Sequence, residues 1–411
     1  MPSAAPPKLG LVVTGLGVTQ IIGWGTTFYI PAVLAGRIVD DTGWTLTTFV
    51  AAFSWCMLVS GLISKRLGGL LDRIGARRVM SWGSVALAAG LLVVATARHE
   101  VVLFLGWTII GVGMRAALYD AAFTALAHMA GQRARRSISI VTLWGGLAST
   151  FFWPVGHLLG EAVGWRWALV VYAVLNLLCC LPIHRRLPAH VPADAPSSSA
   201  PPVPAAPAAG VAAQREGRLQ GSARDRAVVV LSVIFAGHAL VWSGMSAHMM
   251  ELLTGLGLAA GVAVSLSTVI GVAQVGSRLL EMVAQNRLAP LGVGVGAMAM
   301  LVGALTIFWA ASPSASLIGL ACVVYGAANG LITIVRGALP LAVFGNLAYG
   351  ETLGRIAAPG LVCSALGPVL FAWVIERIGT HPTFAVMVLI ACGSFGGMVW
   401  IARASRGANP P

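Results

Sequence analysis

Charge is the scarcest property of this chain: 9% of its 411 residues are Asp, Glu, Lys or Arg, against about 25% in soluble globular domains. So little charge cannot cover the surface of a water-soluble fold of this length, so an ordinary soluble enzyme is excluded. Lysine is nearly absent, with only Lys8 and Lys65, and acidic residues number 13. The six cysteines, Cys56, Cys179, Cys180, Cys322, Cys363 and Cys392, all sit in apolar runs. They have neither the loop positions of a disulfide framework nor the spacing of metal ligands. HExxH, GxxxxGK[ST] and CxxC are all missing, which leaves a metalloprotease, a nucleotide-driven pump and a redox module without support. No catalytic residue, cofactor or metal is expected.

What the chain has is apolar length. Hydrophobic residues make up 58% and the mean hydropathy is +0.87. Glycine accounts for 50 residues, above the usual ~7%, as suits helices packed closely in lipid. Apolar runs cover 11–35, 46–66, 79–97, 101–129, 138–161, 166–183, 227–253, 260–282, 290–311, 315–340, 355–376 and 383–403. Each is long enough to cross a bilayer as a helix, which takes ~20 residues. Helix is the state that satisfies lipid-exposed backbone, and the runs are too long and too continuous for barrel strands. The expected fold class is an all-α membrane protein of twelve spans. The first run is expected to stay as a span, because it is too long for a signal h-region.

Residues 188–226 read as a Pro/Ala-rich linker, with seven prolines from Pro188 to Pro207. They divide an N-terminal bundle, 1–187, from a C-terminal bundle, 227–411. An offset of 214 residues aligns Asp72-Arg73 with Asn286-Arg287, Gly146-Leu147 with Gly360-Leu361, and Pro154-Val155 with Pro368-Val369. Three matches at one offset argue for internal duplication, and duplicated six-span halves are a transporter signature. The net charge of +13 is read through the positive-inside rule rather than as a nucleic-acid surface. With both termini cytoplasmic, 19 of the 26 Lys/Arg lie inside, four outside (Arg37, Arg98, Arg166, Arg377) and three within spans (Arg115, Arg278, Arg336), the asymmetry expected of an inner-membrane protein.

Between the second and third runs stands Gly68-Gly69-Leu70-Leu71-Asp72-Arg73-Ile74-Gly75-Ala76-Arg77-Arg78. This resembles the G-x-x-x-D-R-x-G-x-R-R signature of the major facilitator superfamily. The resemblance covers nearly the whole chain, since span number and central linker agree as well. It implies two pseudo-symmetric six-helix bundles that rock about a central site. It assigns Gly68, Asp72, Arg73, Gly75, Arg77 and Arg78 to a latch on the cytoplasmic side of the outward-open state. Asp72 is expected to meet a facing helix N-terminus, where the dipole favours an anion, and nearby arginines. One departure concerns Trp107, four residues before Gly111-Val112-Gly113, where many proton antiporters of the superfamily carry Arg.

Ionisable groups inside spans are costly and are therefore functional candidates. The superfamily geometry implies that spans one, four, seven and ten line the cavity. Arg115 is then expected to bind a substrate carboxylate, with pairing to Asp120 as the alternative. Asp120 and Arg336 are expected to face each other as a gate or proton-coupling pair. The segment from Ile270 to Arg278 is similar to span eight of monocarboxylate transporters, with Gln274 in place of the Asp that carries the proton there. Arg278 is expected to bind an anion, unless Glu281 neutralises it. His238, Trp24, Tyr29 and Tyr325 complete the expected substrate site. The combined reading is a proton-coupled, monomeric carrier of a small organic anion, with an exporter of amphipathic compounds as the alternative. A receptor or scaffold on the same fold stands as a more distant one.

Overall fold

The computed structural model describes residues 9–189, 219–285, 287–310 and 314–407. Most of the linker, together with Asn286, Lys8, Arg215 and Arg218, lies outside the described residues. Among the described residues twelve helical spans are long and apolar enough to cross a membrane. The first six are Leu9–Thr42, Leu46–Ile74, Ala76–Ala95, Glu100–Met129, Gly131–Ala162 and Gly164–Arg185. The second six are Gly221–Gly255, Ala260–Ala284, Pro290–Ala310, Ala315–Phe344, Tyr349–Ile378 and Thr380–Arg406; the twelve are called spans one to twelve below. Several run past their apolar cores. Span seven begins at Gly221 rather than after Arg226, so Arg224 and Arg226 belong to its first turns.

Each half packs its own core. In the second half Leu231, Phe235, Leu301, Phe308, Phe344 and Phe371 interlock; in the first, Leu34, Phe49, Leu91, Trp107 and Tyr172 do so. Large apolar side chains such as Leu62, Leu280, Val283 and Leu389 stay exposed. They are the surface expected when the solvent is lipid. Trp107 is fully buried between Phe49 and Phe53, a packing position.

The signature segment is more helical than a loop. Span two continues to Ile74, Gly75 alone makes the turn at φ +85°, and span three starts at Ala76. A side chain at Gly75 would meet the left-handed penalty that glycine avoids.

An even number of spans puts both termini on one face, called here the terminus face. Among the described residues, every hydrogen bond and ion pair that joins the two halves lies between mid-membrane and this face. Span two packs along span eleven, and the start of span five packs against the end of span eight. A Cβ on Gly68 would strike the Gly350 carbonyl, and one on Gly354 would strike that of Ser64. Glycine is what lets these backbones touch.

Candidate functional site

Three spans of the first half break at mid-membrane, and each break aims side chains inward. Span one is interrupted at 26–29, just before Pro31. Thr26 and Thr27 donate their hydroxyls to the Ile22 and Gly23 carbonyls at 2.8 and 2.6 Å, and Asn176 donates to Thr26 Oγ1 at 2.9 Å. This satisfies the broken backbone, and the break presents Phe28 and Tyr29. Span four breaks at Leu118, whose backbone is extended (φ −83°, ψ −159°). Span five breaks at Leu147. Irregular backbone at this depth is tolerated where it lines a cavity or is buried in protein.

The break at Leu118 decides the fate of Arg115. In an unbroken helix a five-residue spacing would point Asp120 to another face. The extended residue resets the phase, and Arg115 and Asp120 form a buried ion pair. The structure therefore does not join Asp120 to Arg336: Asp120 is spent on Arg115 in its own half. Arg336 has no hydrogen bond or ion pair among the described residues, although its charge and that of Arg115 reach one another.

The central space is a column of aromatic and polar groups. At its end remote from the terminus face, called here the outer end, Phe28 of span one stacks on Trp242 of span seven, with ring centres 5.8 Å apart and planes at 29°. Trp24 lies between Phe28 and Tyr119, at 5.4 and 5.1 Å. His238 Nε2 meets Asn329 Oδ1 at 2.9 Å, and Asn329 Nδ2 donates to the Tyr325 carbonyl at 2.7 Å. Asn329, Thr333 and Arg336 fall at i, i+4 and i+7 on span ten, so one helical face is polar. Arg278 of span eight reaches the same face. It donates to Thr333 Oγ1 at 3.3 Å, to the Gly330 carbonyl at 3.4 Å and, across the halves, to the Thr142 carbonyl of span five at 3.1 Å. Tyr119 donates to the same Thr142 carbonyl at 3.2 Å. Gly145 and Gly146 make room for these two side chains: a Cβ on the first would strike the Tyr119 hydroxyl, and one on the second Arg278 Nη1. Tyr29 bonds Ser149 and feels the charge of Arg278.

Two polar clusters close the terminus face below this column. Ala348, the residue before span eleven, has no side-chain oxygen to cap the helix. Asp72 of the other half caps it instead, accepting from the Gly350 and Glu351 N–H groups at 2.9 and 2.8 Å. These are orphan donors of a helix N-terminus, where a carboxylate is favoured. His128 also approaches Asp72, at 3.3 Å. At the other seam Arg135 of span five donates to Glu281 at 2.8 Å and to the Gln285 and Leu288 carbonyls just past span eight, at 3.0 and 2.6 Å. Ser139 donates to the second Glu281 oxygen at 2.8 Å.

Several expected site residues lie elsewhere. Glu281 pairs with Arg135 rather than Arg278, because its side chain points to the seam between spans five and eight. Tyr325 is buried against Phe308 in the core of its own half and does not line the column. Gln274 packs its backbone on Gly330 of span ten. Arg73, Arg77 and Arg78 are exposed and form no ion pair among the described residues. The sequence reading missed Tyr119, Asn329, Thr333, Phe28, Trp242, Arg135 and Glu281 as site or seam residues. The spacing of Asn329, Thr333 and Arg336 was the available signal for the span-ten face.

No curated protein matches the chain in sequence. Among solved structures, the human organic anion transporter TETRAN superimposes with a TM-score of 0.72 at 15% identity, covering 95% of this chain and 100% of that one. FucP, in an outward conformation, gives a TM-score of 0.69 at 14% identity, with coverage of 97% and 99%. A variant of the E. coli fucose:proton symporter FucP gives 0.70 at 15% identity, with coverage of 97% and 98%. At such identities the likeness is one of fold. The Major Facilitator Superfamily sequence model matches residues 16–352, most of the chain. With twelve helical spans in two bundles, an inter-half latch and that match, this chain belongs to the Major Facilitator Superfamily and is built as one of its membrane transporters.

Proposed function

We propose that the chain is a proton-coupled secondary transporter of a small organic anion, working as a monomer by alternating access in a bacterial inner membrane. The observation that carries this reading is the pair Arg278 and Arg336. Both guanidiniums belong to the second half and border the central column, and neither has a carboxylate partner among the described residues. A cation left unpaired at this depth is expensive, and a bound carboxylate would offset that cost through charge-assisted hydrogen bonds. Arg115, already neutralised by Asp120, orients the site rather than binding the anion.

The excess of basic residues at the terminus face supports a cytoplasmic location for both termini. The seams made by Asp72 and by Arg135 with Glu281 then close the cytoplasmic side, and substrate enters from outside past Phe28 and Trp242. Rocking of the halves requires both seams to open. One structural neighbour is described as an organic anion transporter and another as a sugar:proton symporter, so both parts of the reading have precedent on this fold.

The test is uptake of labelled lactate, benzoate and succinate by proteoliposomes, with and without an inwardly directed proton gradient. The gradient should stimulate uptake of at least one probe, and no flux of any carboxylate in either condition sinks the reading. The aromatic group Trp24, Phe28, Phe53 and Trp242 favours one alternative, an exporter of amphipathic compounds. Proton-driven efflux of ethidium without carboxylate flux would select it.

A further inference from the structure

The central column leaves one question that the anion reading does not answer, namely which group carries the proton. Asp120 is held by Arg115, and Glu281 is held by Arg135 and Ser139 at the seam. The position where the resembling span eight would carry an aspartate is Gln274. What remains at mid-membrane is the imidazole of His238. Its hydrogen bond also fixes its chemistry. Asn329 Nδ2 donates to a backbone carbonyl, so Oδ1 is the atom that faces the ring and must accept. Nε2 therefore carries the hydrogen, and Nδ1 is left with its lone pair and no partner among the described residues.

The charged surroundings of this ring are few. Span ten brings Arg336, whose charge reaches His238. Seven residues separate it from Asn329, about 10 Å along a helix, on the terminus-face side. Spans one, eleven and twelve, which also pack on span seven, carry their charges only near their ends. Span eight adds Arg278, which is bonded to Thr333. A proton on His238 thus joins two guanidiniums that have no anion beside them. A carboxylate seated at Arg336 removes that repulsion, so anion and proton favour each other's binding.

We propose that His238 Nδ1 is the proton site of this transporter and that Arg336 holds the carboxylate that travels with the proton, one proton and one carboxylate group entering and leaving together. This rests on the anion reading and names the coupling residues of that site. The step involves no other bond: the proton arrives from the outside solution on Nδ1 and departs to the cytoplasm.

Proteoliposomes loaded with the carboxylate that the wild-type protein takes up separate the two ideas. His238→Gln keeps a donor for Asn329 but has no titratable nitrogen. It should lose accumulation driven by a proton gradient, and any exchange of labelled for unlabelled carboxylate that it supports should no longer vary with pH. Arg336→Gln should lose both. Gradient-driven accumulation by His238→Gln at the wild-type level overturns the proton site while leaving the anion reading intact. Retained exchange by Arg336→Gln overturns the carboxylate site. If the wild-type protein moves no carboxylate, the anion reading falls and this inference falls with it. Should His238→Gln fail to fold, Asn329→Asp keeps the imidazole and gives Nε2 an anionic partner, so the pH profile of driven uptake must move. An unmoved profile overturns the assignment.

Discussion

The two halves of this molecule are copies in architecture and opposites in chemistry. The first half breaks its cavity-lining helices, at residues 26–29, Leu118 and Leu147, and neutralises its buried arginine internally. The second half runs spans ten and eleven as unbroken helices and bends span seven only at His248. Among the described residues, its Arg278 and Arg336 have no carboxylate of their own. The 214-residue offset pairs the residues that differ: Trp24 with His238, Arg115 with Asn329, and Tyr119 with Thr333. It also pairs Phe28 with Trp242, and these two mates touch each other. A residue in contact with its own repeat mate marks the pseudo-two-fold axis, so the axis runs through the outer end of the column. If the column is the substrate site, the first half gives it shape and the second gives it charge.

The sharpest way to break this contrast is to remove the neutralisation in the first half. Asp120→Asn leaves Arg115 buried and unpaired, a change that costs about 3–5 kcal/mol when one partner of a buried pair is lost. Thermal unfolding in detergent should fall steeply for this variant and recover in the double variant Arg115→Gln/Asp120→Asn, which removes both charges. A wild-type midpoint for Asp120→Asn would mean that the first half does not depend on internal pairing. Combined charge reversal at Asp120 and Arg336 is not expected to rescue transport, because Asp120 pairs with Arg115 and not with Arg336.

Much of the contrast was legible in the chain before its structure, but unevenly. Twelve apolar runs, the central linker and the glycine-rich signature are local or periodic, and they were readable. The Asp72 contact was readable as a type, a carboxylate at a helix N-terminus, but its partner lies 278 residues away at Gly350. Pairing across such a distance leaves no local mark. The pairing of Arg115 with Asp120, an alternative in the sequence, is disfavoured there only because helical phase runs on through Leu118, a residue whose type gives no warning of a break. Spacing offers Glu281 to Arg278 as an alternative partner, whereas the seam with span five decides its direction. The polar face of span ten is visible at helical spacing, but it is built from amide and hydroxyl groups, which stand out less in an apolar run than charges do.

The second half offers the next test. Arg278 makes three hydrogen bonds in a fixed fork, to a carbonyl of each half and to Thr333. Lysine keeps the charge but not the planar geometry. Losing a hydrogen bond from a charged donor costs about 1.5–3 kcal/mol, so Arg278→Lys should lower carboxylate uptake roughly 10- to 150-fold. The matching change in the first half, Arg115→Lys, should be milder, because an ammonium can still pair with Asp120. Near-normal uptake by Arg278→Lys would remove the geometric role of this arginine and leave Arg336 as the sole anion contact.

The smallest effect belongs to the axis itself. Phe28 and Trp242 are offered by equivalent positions of the two halves and stack on the route proposed for the substrate. An aromatic pair contributes about 0.5–1.5 kcal/mol beyond the area it buries. If the stack closes the outer end of the column, each alanine variant should change uptake by a few-fold, and the double variant Phe28→Ala/Trp242→Ala should do no more than either one. That non-additivity is the signature of residues in contact. The symmetric alternative is that each ring only packs within its own half, and then the two effects multiply. The distinction matters because the rings come from the half that shapes the site and the half that charges it. A coupled pair means that the halves communicate on the outer side as well as through the seams at the terminus face. Independent rings would leave that communication to the polar contacts of Asp72, of Lys65 with Glu351, of Arg135 and Ser139 with Glu281, and of Arg278 with Thr142.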